Sequence, residues 1–208
     1  GSQALIETYV PKMLEGQFIT GESYPVIVAF TAALIFAIFI THAGIAIRKF
    51  PGSYKQYRLY RSHMKRMNHS DTNLWFYQVM TGFVMFFLGS IHLFIIMTNP
   101  GEIGPYASAD RIVSQWMAPL YILLLLAVEF HGSIGLYRLA IKWGWFEGSN
   151  PKKSRKNLKI YKWVITVFFL ALGFLSLAAY IKIGLIQIDN DNVGNRYVPT
   201  YMIEKGAH

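Results

Sequence analysis

The chain has 208 residues, of which 53% are hydrophobic and 15% charged, with a net charge of +9 and no cysteine. That balance suits one polytopic membrane domain rather than a soluble one, and the lack of thiols excludes disulfides and thiolate-held iron–sulfur clusters. The charge does not mark a nucleic-acid binder, because the 20 Lys and Arg fall mostly in two blocks between apolar stretches instead of along one basic face.

A hydrocarbon layer of about 30 Å takes about 20 helical residues to cross, and four stretches are long and apolar enough. In chain order they are Pro25 to Ile47, Trp75 to Met97, Ile112 to Tyr137 and Trp163 to Ile181. The predicted fold is therefore an all-α transmembrane helix bundle, residues 1–208 forming a single membrane domain. Segments 48–74 and 138–162 connect spans on one side, and 187–208 forms a tail on the other. Turn signals at Asn99-Pro100-Gly101 and Ile103-Gly104-Pro105 mark a short outer connection.

Loops rich in Lys and Arg stay cytoplasmic. Seven such residues lie between Arg48 and Asn73 and eight between Arg138 and Lys162, against five on the other side. Both basic segments are placed inside, so the first span runs from outside to inside. The chain starts at Gly1-Ser2, with no initiator Met and no signal peptide. With an outside start, this leads to the expectation of a further span upstream.

Three spans carry one histidine each, and an ionisable group inside a membrane is a functional candidate by default. His42 lies six residues before Arg48 and His131 seven before Arg138. Both are thereby about 9 to 11 Å from the inner end of their spans. His92, eight residues before Pro100, lies roughly 12 Å from the outer end of its own, and cannot join the other two at one metal. Two neutral imidazoles at a common depth are what a six-coordinate b-type haem between helices requires. Gly44, Gly89, Gly132 and Gly135 beside the histidines would permit close approach of a flat ring. Intramembrane His and Gly also serve plain helix packing, and a zinc site would want three or four ligands close together. No other histidine reaches the depth of His92, so either it is not a ligand or its partner belongs to a helix outside these 208 residues.

The residues that extend this pattern are Thr41-His42-Ala43 through Arg48-Lys49-Phe50-Pro51, Met80-Thr81-Gly82-Phe83 through Gly89-Ser90-Ile91-His92-Leu93, and Val128-Glu129-Phe130-His131-Gly132-Ser133 through Gly135-Leu136-Tyr137-Arg138. Lys142-Trp143-Gly144-Trp145-Phe146 continues it. The chain thereby resembles, over nearly its whole length, the dihaem cytochrome b membrane subunit of menaquinol:fumarate reductases, in the succinate dehydrogenase and fumarate reductase superfamily. That resemblance implies five transmembrane helices and two haems b, or one if the upstream helix is truly absent. His42 and His131 match the axial ligands of the proximal haem and His92 one ligand of the distal haem. Menaquinone or menaquinol is the implied substrate. The implied partners are an iron–sulfur subunit and an FAD-containing flavoprotein on the cytoplasmic side of a bacterial inner membrane, an assembly that allows a dimer of the heterotrimer.

Further site residues follow from the resemblance. Glu129 matches a proton-pathway residue; as a buried carboxyl it could otherwise be a permanently neutral packing group. Glu22 or Glu15, before the first span, would accept a proton from quinol. Lys142, His69 and Trp75 on the inner side, and Arg111 with Ser90 toward the outer side, match residues near the haems, although each could be an interfacial anchor. Two alternatives stay open: a cytochrome b of another quinone-linked dehydrogenase, such as a formate dehydrogenase or hydrogenase, and a haem-free anchor or transporter bundle in which His and Glu129 form a polar relay.

Overall fold

A computed structural model describes residues 24–48, 50–67 and 70–195. Among them are six α-helices and no strand: α1 (Pro25–Ile47), α2 (Tyr54–Met67), α3 (Ser70–Thr98), α4 (Pro105–Val113), α5 (Ala118–Trp143) and α6 (Pro151–Asp189), with a 3₁₀ turn at Pro100–Glu102. The all-α membrane architecture is thus present, and α1, α3, α5 and α6 are each long and apolar enough to cross a bilayer.

Local chemistry explains the helix ends. Pro25, Pro105 and Pro151 each open a helix, where the missing N–H costs nothing and the fixed φ is already helical. α5 stops at Gly144, whose φ of 65° is the left-handed conformation of a Schellman cap. Trp145 N–H donates to Ala140 O at 2.9 Å, and Gly144 N–H to Ile141 O at 3.4 Å. α6 ends in the same way on Asp191, at φ 55°, with Asn192 N–H donating to Gln187 O at 2.8 Å.

Three helix boundaries depart from the hydropathy reading. The third apolar stretch is divided, since Ile112 belongs to α4 and α5 begins only at Ala118. The break spans Ser114–Met117 and includes Trp116 at a positive φ of 57°, a turn that continuous apolarity conceals. Within the first inner connection, residues 54–67 are helical, with Met64 their one buried side chain. The helix of the fourth apolar stretch, α6, begins twelve residues before Trp163 and runs for 39 residues, about 58 Å, so its basic first turns extend past the hydrocarbon layer.

The described residues gather into two compact units, one drawn from residues up to Ile38, Ser90–Ile122 and Leu175 onward, the other from Phe39–Gly89 and Leu123–Phe174. Packing in each follows membrane rules, with small or polar residues inside and large apolar ones outside. In the second unit Thr166, Ser133 and Ala127 are buried, whereas Val167, Phe168 and Leu136 are exposed. The glycine at 173 of α6 takes Leu125 of α5 directly against its Cα. In the first unit, Gly184 of α6 lies against Val113 and the Ala109 carbonyl of α4.

Asp71, at the start of α3, gathers three further side chains of the second unit. It accepts a hydrogen bond from Tyr137 at 3.1 Å and pairs with Lys159 at 3.0 Å and Arg155 at 3.7 Å. One carboxylate thereby ties α3, α5 and the basic start of α6 together.

Candidate haem site

His42 on α1 and His131 on α5 come together in the second unit, with ring centres 6.3 Å apart and ring planes at 90°. The two histidines placed at one depth by residue counting are therefore neighbours. Two imidazoles that hold one metal ion between them, with metal–nitrogen bonds of about 2.0 Å, need ring centres about 6 Å apart. The observed spacing fits that need.

His131 is oriented by α3. Its Nδ1 lies 2.9 Å from the backbone carbonyl of Gln78; a carbonyl can only accept, so Nδ1 carries the proton and Nε2 keeps its lone pair. That tautomer is the one a metal-binding imidazole requires when its second nitrogen is held by the protein. The same glutamine is fixed at its other end, where Arg138 Nη1 donates a short hydrogen bond to Gln78 Oε1. Two glycines let the helices come this close. A Cβ on Gly82 of α3 would sit 2.9 Å from His131 Cε1 and 3.1 Å from Nδ1, and a Cβ on Gly135 of α5 would sit 2.9 Å from Gln78 Nε2.

An open cavity of about 300 Å³ adjoins these groups. Its walls include both histidines, the aromatic rings of Phe39, Phe50, Phe83 and Phe86, and the polar groups Trp75, Gln78 and Arg138. A site with two imidazoles, an apolar aromatic lining and a cation at one edge suits a flat, largely apolar macrocycle bearing carboxylates. The residues present fit haem b.

Of the residues expected near the inner haem, Trp75 lines this cavity, Lys142 is exposed on the last turn of α5, and His69 lies outside the described residues. Gln78 and Arg138 are the site residues that sequence reasoning missed. Arg138 enters the sequence reading through the charge count, the depth of His131 and the resemblance, with no site role, yet it stands two helical turns beyond His131 on the same face. Gln78 could have been found as an amide in an otherwise apolar span.

His92 belongs to the first unit. Its ring meets Tyr121 edge-on at 5.5 Å, and its Nδ1 is buried with no hydrogen-bond partner among the described residues. Arg111 is buried, 7% exposed, and its Nη2 approaches Glu102 at 3.4 Å to the carbonyl and 3.8 Å to the carboxylate. Ser90 is half-buried and already engaged. Glu22 and Glu15 lie outside the described residues.

Glu129 is half-buried on α5 with Thr166 of α6 as its polar neighbour. Its Oε1 and the Thr166 hydroxyl are nevertheless both buried without a hydrogen-bond partner among the described residues. An unmet carboxyl oxygen inside a bundle is costly unless protonated or hydrated, which leaves room for a water or a proton at this position.

Residues 55–172 match the family described as the succinate dehydrogenase/fumarate reductase transmembrane subunit. The chain is 53% identical over 189 residues to the fumarate reductase cytochrome b subunit of Wolinella succinogenes, an alignment covering 91% of this chain and 73% of that protein. It is 50% identical over 181 residues to the fumarate reductase cytochrome b subunit of Helicobacter pylori, covering 87% and 69% respectively.

Proposed function

Since the chain belongs to the succinate dehydrogenase/fumarate reductase transmembrane subunit family, we propose that it is the haem-bearing, quinone-reactive subunit of such a complex, linking menaquinol in the membrane to an iron–sulfur subunit and an FAD-containing flavoprotein. The observation that carries this reading is the close pair His42 and His131, with ring centres 6.3 Å apart. Haem b bound there would supply one-electron chemistry inside the membrane.

The work of this chain's own residues is to hold, orient and shield. His42 and His131 would hold the iron of that haem. The Gln78 carbonyl keeps the proton of His131 on Nδ1 and raises the basicity of the ligating nitrogen. Phe39, Phe83 and Phe86 keep water from the apolar faces, while Arg138 and Trp75 offer donors to carboxylates at the cavity edge. His92 would hold a second haem, together with a ligand outside the described residues.

Proton handling falls to carboxyls. Glu129 holds a proton within the bundle and exchanges it as the charge nearby changes, with Thr166 as a neighbouring hydroxyl. Glu22 or Glu15 accepts a proton from quinol near the outer face. The basic segments 48–73 and 138–162 face the cytoplasm of a bacterium and dock the soluble subunits, which perform the dicarboxylate chemistry. The assembly is compatible with a dimer of the heterotrimer.

The test is spectroscopic. Reduced b-type bands should be present in protein supplied with haem, and His42→Ala and His131→Ala should remove the same component while His92→Ala removes a different one. Wild-type protein without b-type bands, or bands untouched by His42→Ala and His131→Ala, would overturn the proposal.

A further inference from the structure

A cavity of about 710 Å³ lies between α5 and α6 in the second unit, apart from the histidine pair. Two polar side chains on its lining, Ser133 and Lys162, are buried residues with no part in holding haem. Ser133 is 5% exposed and its hydroxyl has no hydrogen-bond partner among the described residues. Lys162 is 4% exposed, and its Nζ lies over the Trp163 ring, 3.5 Å from the centroid. Among the described residues no carboxylate pairs with it. The stem of this lysine is packed away while its ammonium is matched by no carboxylate, and a cation–π contact satisfies that charge only in part.

The position of this cavity along α6 is informative. Lys162 is the last of six cations between Pro151 and Trp163, and from Trp163 onward the helix is apolar to Ile181. The cavity therefore spans the level at which the chain passes from a water-facing to a lipid-facing composition. Trp145, Phe146 and Tyr161 line it with exposed rings, as interfacial aromatics do. A second cavity of about 270 Å³ shares Trp145, Ser154 and Leu158 with it and adds Lys152 and Arg155. The charge around the opening is mostly positive, Glu147 being the one acid on either lining.

We propose that this groove binds one anionic phospholipid, with Lys162 and the neighbouring basic residues of α6 holding the phosphate and with the wall formed by Leu136 and Ile165 receiving acyl chain. Basic pockets between transmembrane helices on the cytoplasmic side recognise anionic headgroups in this way. Occupancy supplies the counter-charge that Lys162 lacks and covers the apolar lining between α5 and α6. This site is independent of haem ligation and stands or falls separately.

The test uses the purified complex containing the full chain, reconstituted in nanodiscs of phosphatidylcholine alone or mixed with phosphatidylglycerol, and reads retained lipid by native mass spectrometry. Wild type and Lys162→Arg should hold phosphatidylglycerol under activation that strips phosphatidylcholine. Lys162→Gln should hold about fivefold less. Leu136→Trp, which fills the groove from an exposed position, should lose the lipid with the lysine intact, so a folding defect at Lys162 cannot account for both losses. Equal retention by Lys162→Gln, equal retention of the two lipids by wild type, or a photo-crosslinker at Phe146 that captures a partner subunit in place of lipid would each refute the proposal.

Discussion

Gly82→Ala isolates the contact on which the proposed haem site depends. The added methyl would sit 2.9 Å from His131 Cε1 and 3.1 Å from Nδ1, whereas carbon atoms pack comfortably at about 3.5 Å or more. The imidazole must therefore retreat by roughly 0.6 Å, which exceeds the tolerance of about 0.5 Å for a preorganised ligand and pulls Nδ1 out of line with Gln78 O. Overpacking of this kind costs about 1–3 kcal/mol, offset in the helix itself by up to about 1 kcal/mol because Ala replaces Gly. The net cost spans about 0–3 kcal/mol, and its central value of about 1–2 kcal/mol would weaken haem retention by a factor of about 5–30, with helix content unchanged. Gly132→Ala is the matched control: it adjoins His131 in sequence, but its Cβ would meet nothing within 4 Å. Haem content by pyridine haemochromogen and the low-spin electron paramagnetic resonance signal are the readouts. If Gly82→Ala retains haem as Gly132→Ala does and gives the same signal, the orientation of His131 by α3 is not what sustains the site.

Four further outcomes are expected. Arg138→Ala removes the anchor of Gln78 Oε1 and should shift the midpoint potential of the haem held by His42 and His131 while sparing the other; identical potentials in the variant would count against the anchor. Glu129→Gln keeps the shape and removes the exchangeable carboxyl proton, so quinol-linked turnover should fall, and unchanged turnover would remove its proton-transfer role. Asp71→Asn loses two ion pairs and weakens the acceptor for Tyr137; it should lower stability by about 1–2 kcal/mol, seen as a lower thermal midpoint in detergent, and an unaltered midpoint would show the junction to be dispensable. Gly184→Ala would place its Cβ 2.9 Å from the Ala109 carbonyl. Backbone yields less readily than a side-chain end, so about 1–3 kcal/mol of destabilisation is expected, and a thermal midpoint equal to wild type would refute it.

Much of this protein could be read from one dimension. Apolar runs locate four membrane helices, and a rise of about 1.5 Å per residue puts His42 and His131 at one depth, because both quantities depend only on local chain geometry. The turn at Ser114–Met117 and the helical course of residues 151–162 were hidden for the complementary reason: hydropathy records where a chain is apolar or charged, not whether it bends. Helix rotation lay further out of reach. A membrane helix apolar on every side carries little amphipathic signal to say which face meets its neighbours, so spacing could pair His42 with His131 by height but could not find the Gln78 carbonyl that orients one ring. Tertiary packing alone turned Gly82 toward His131, brought Arg138 to Gln78 and set Lys162 beside a groove between α5 and α6, since each of these arrangements depends on different helices whose relative rotation no local sequence pattern specifies.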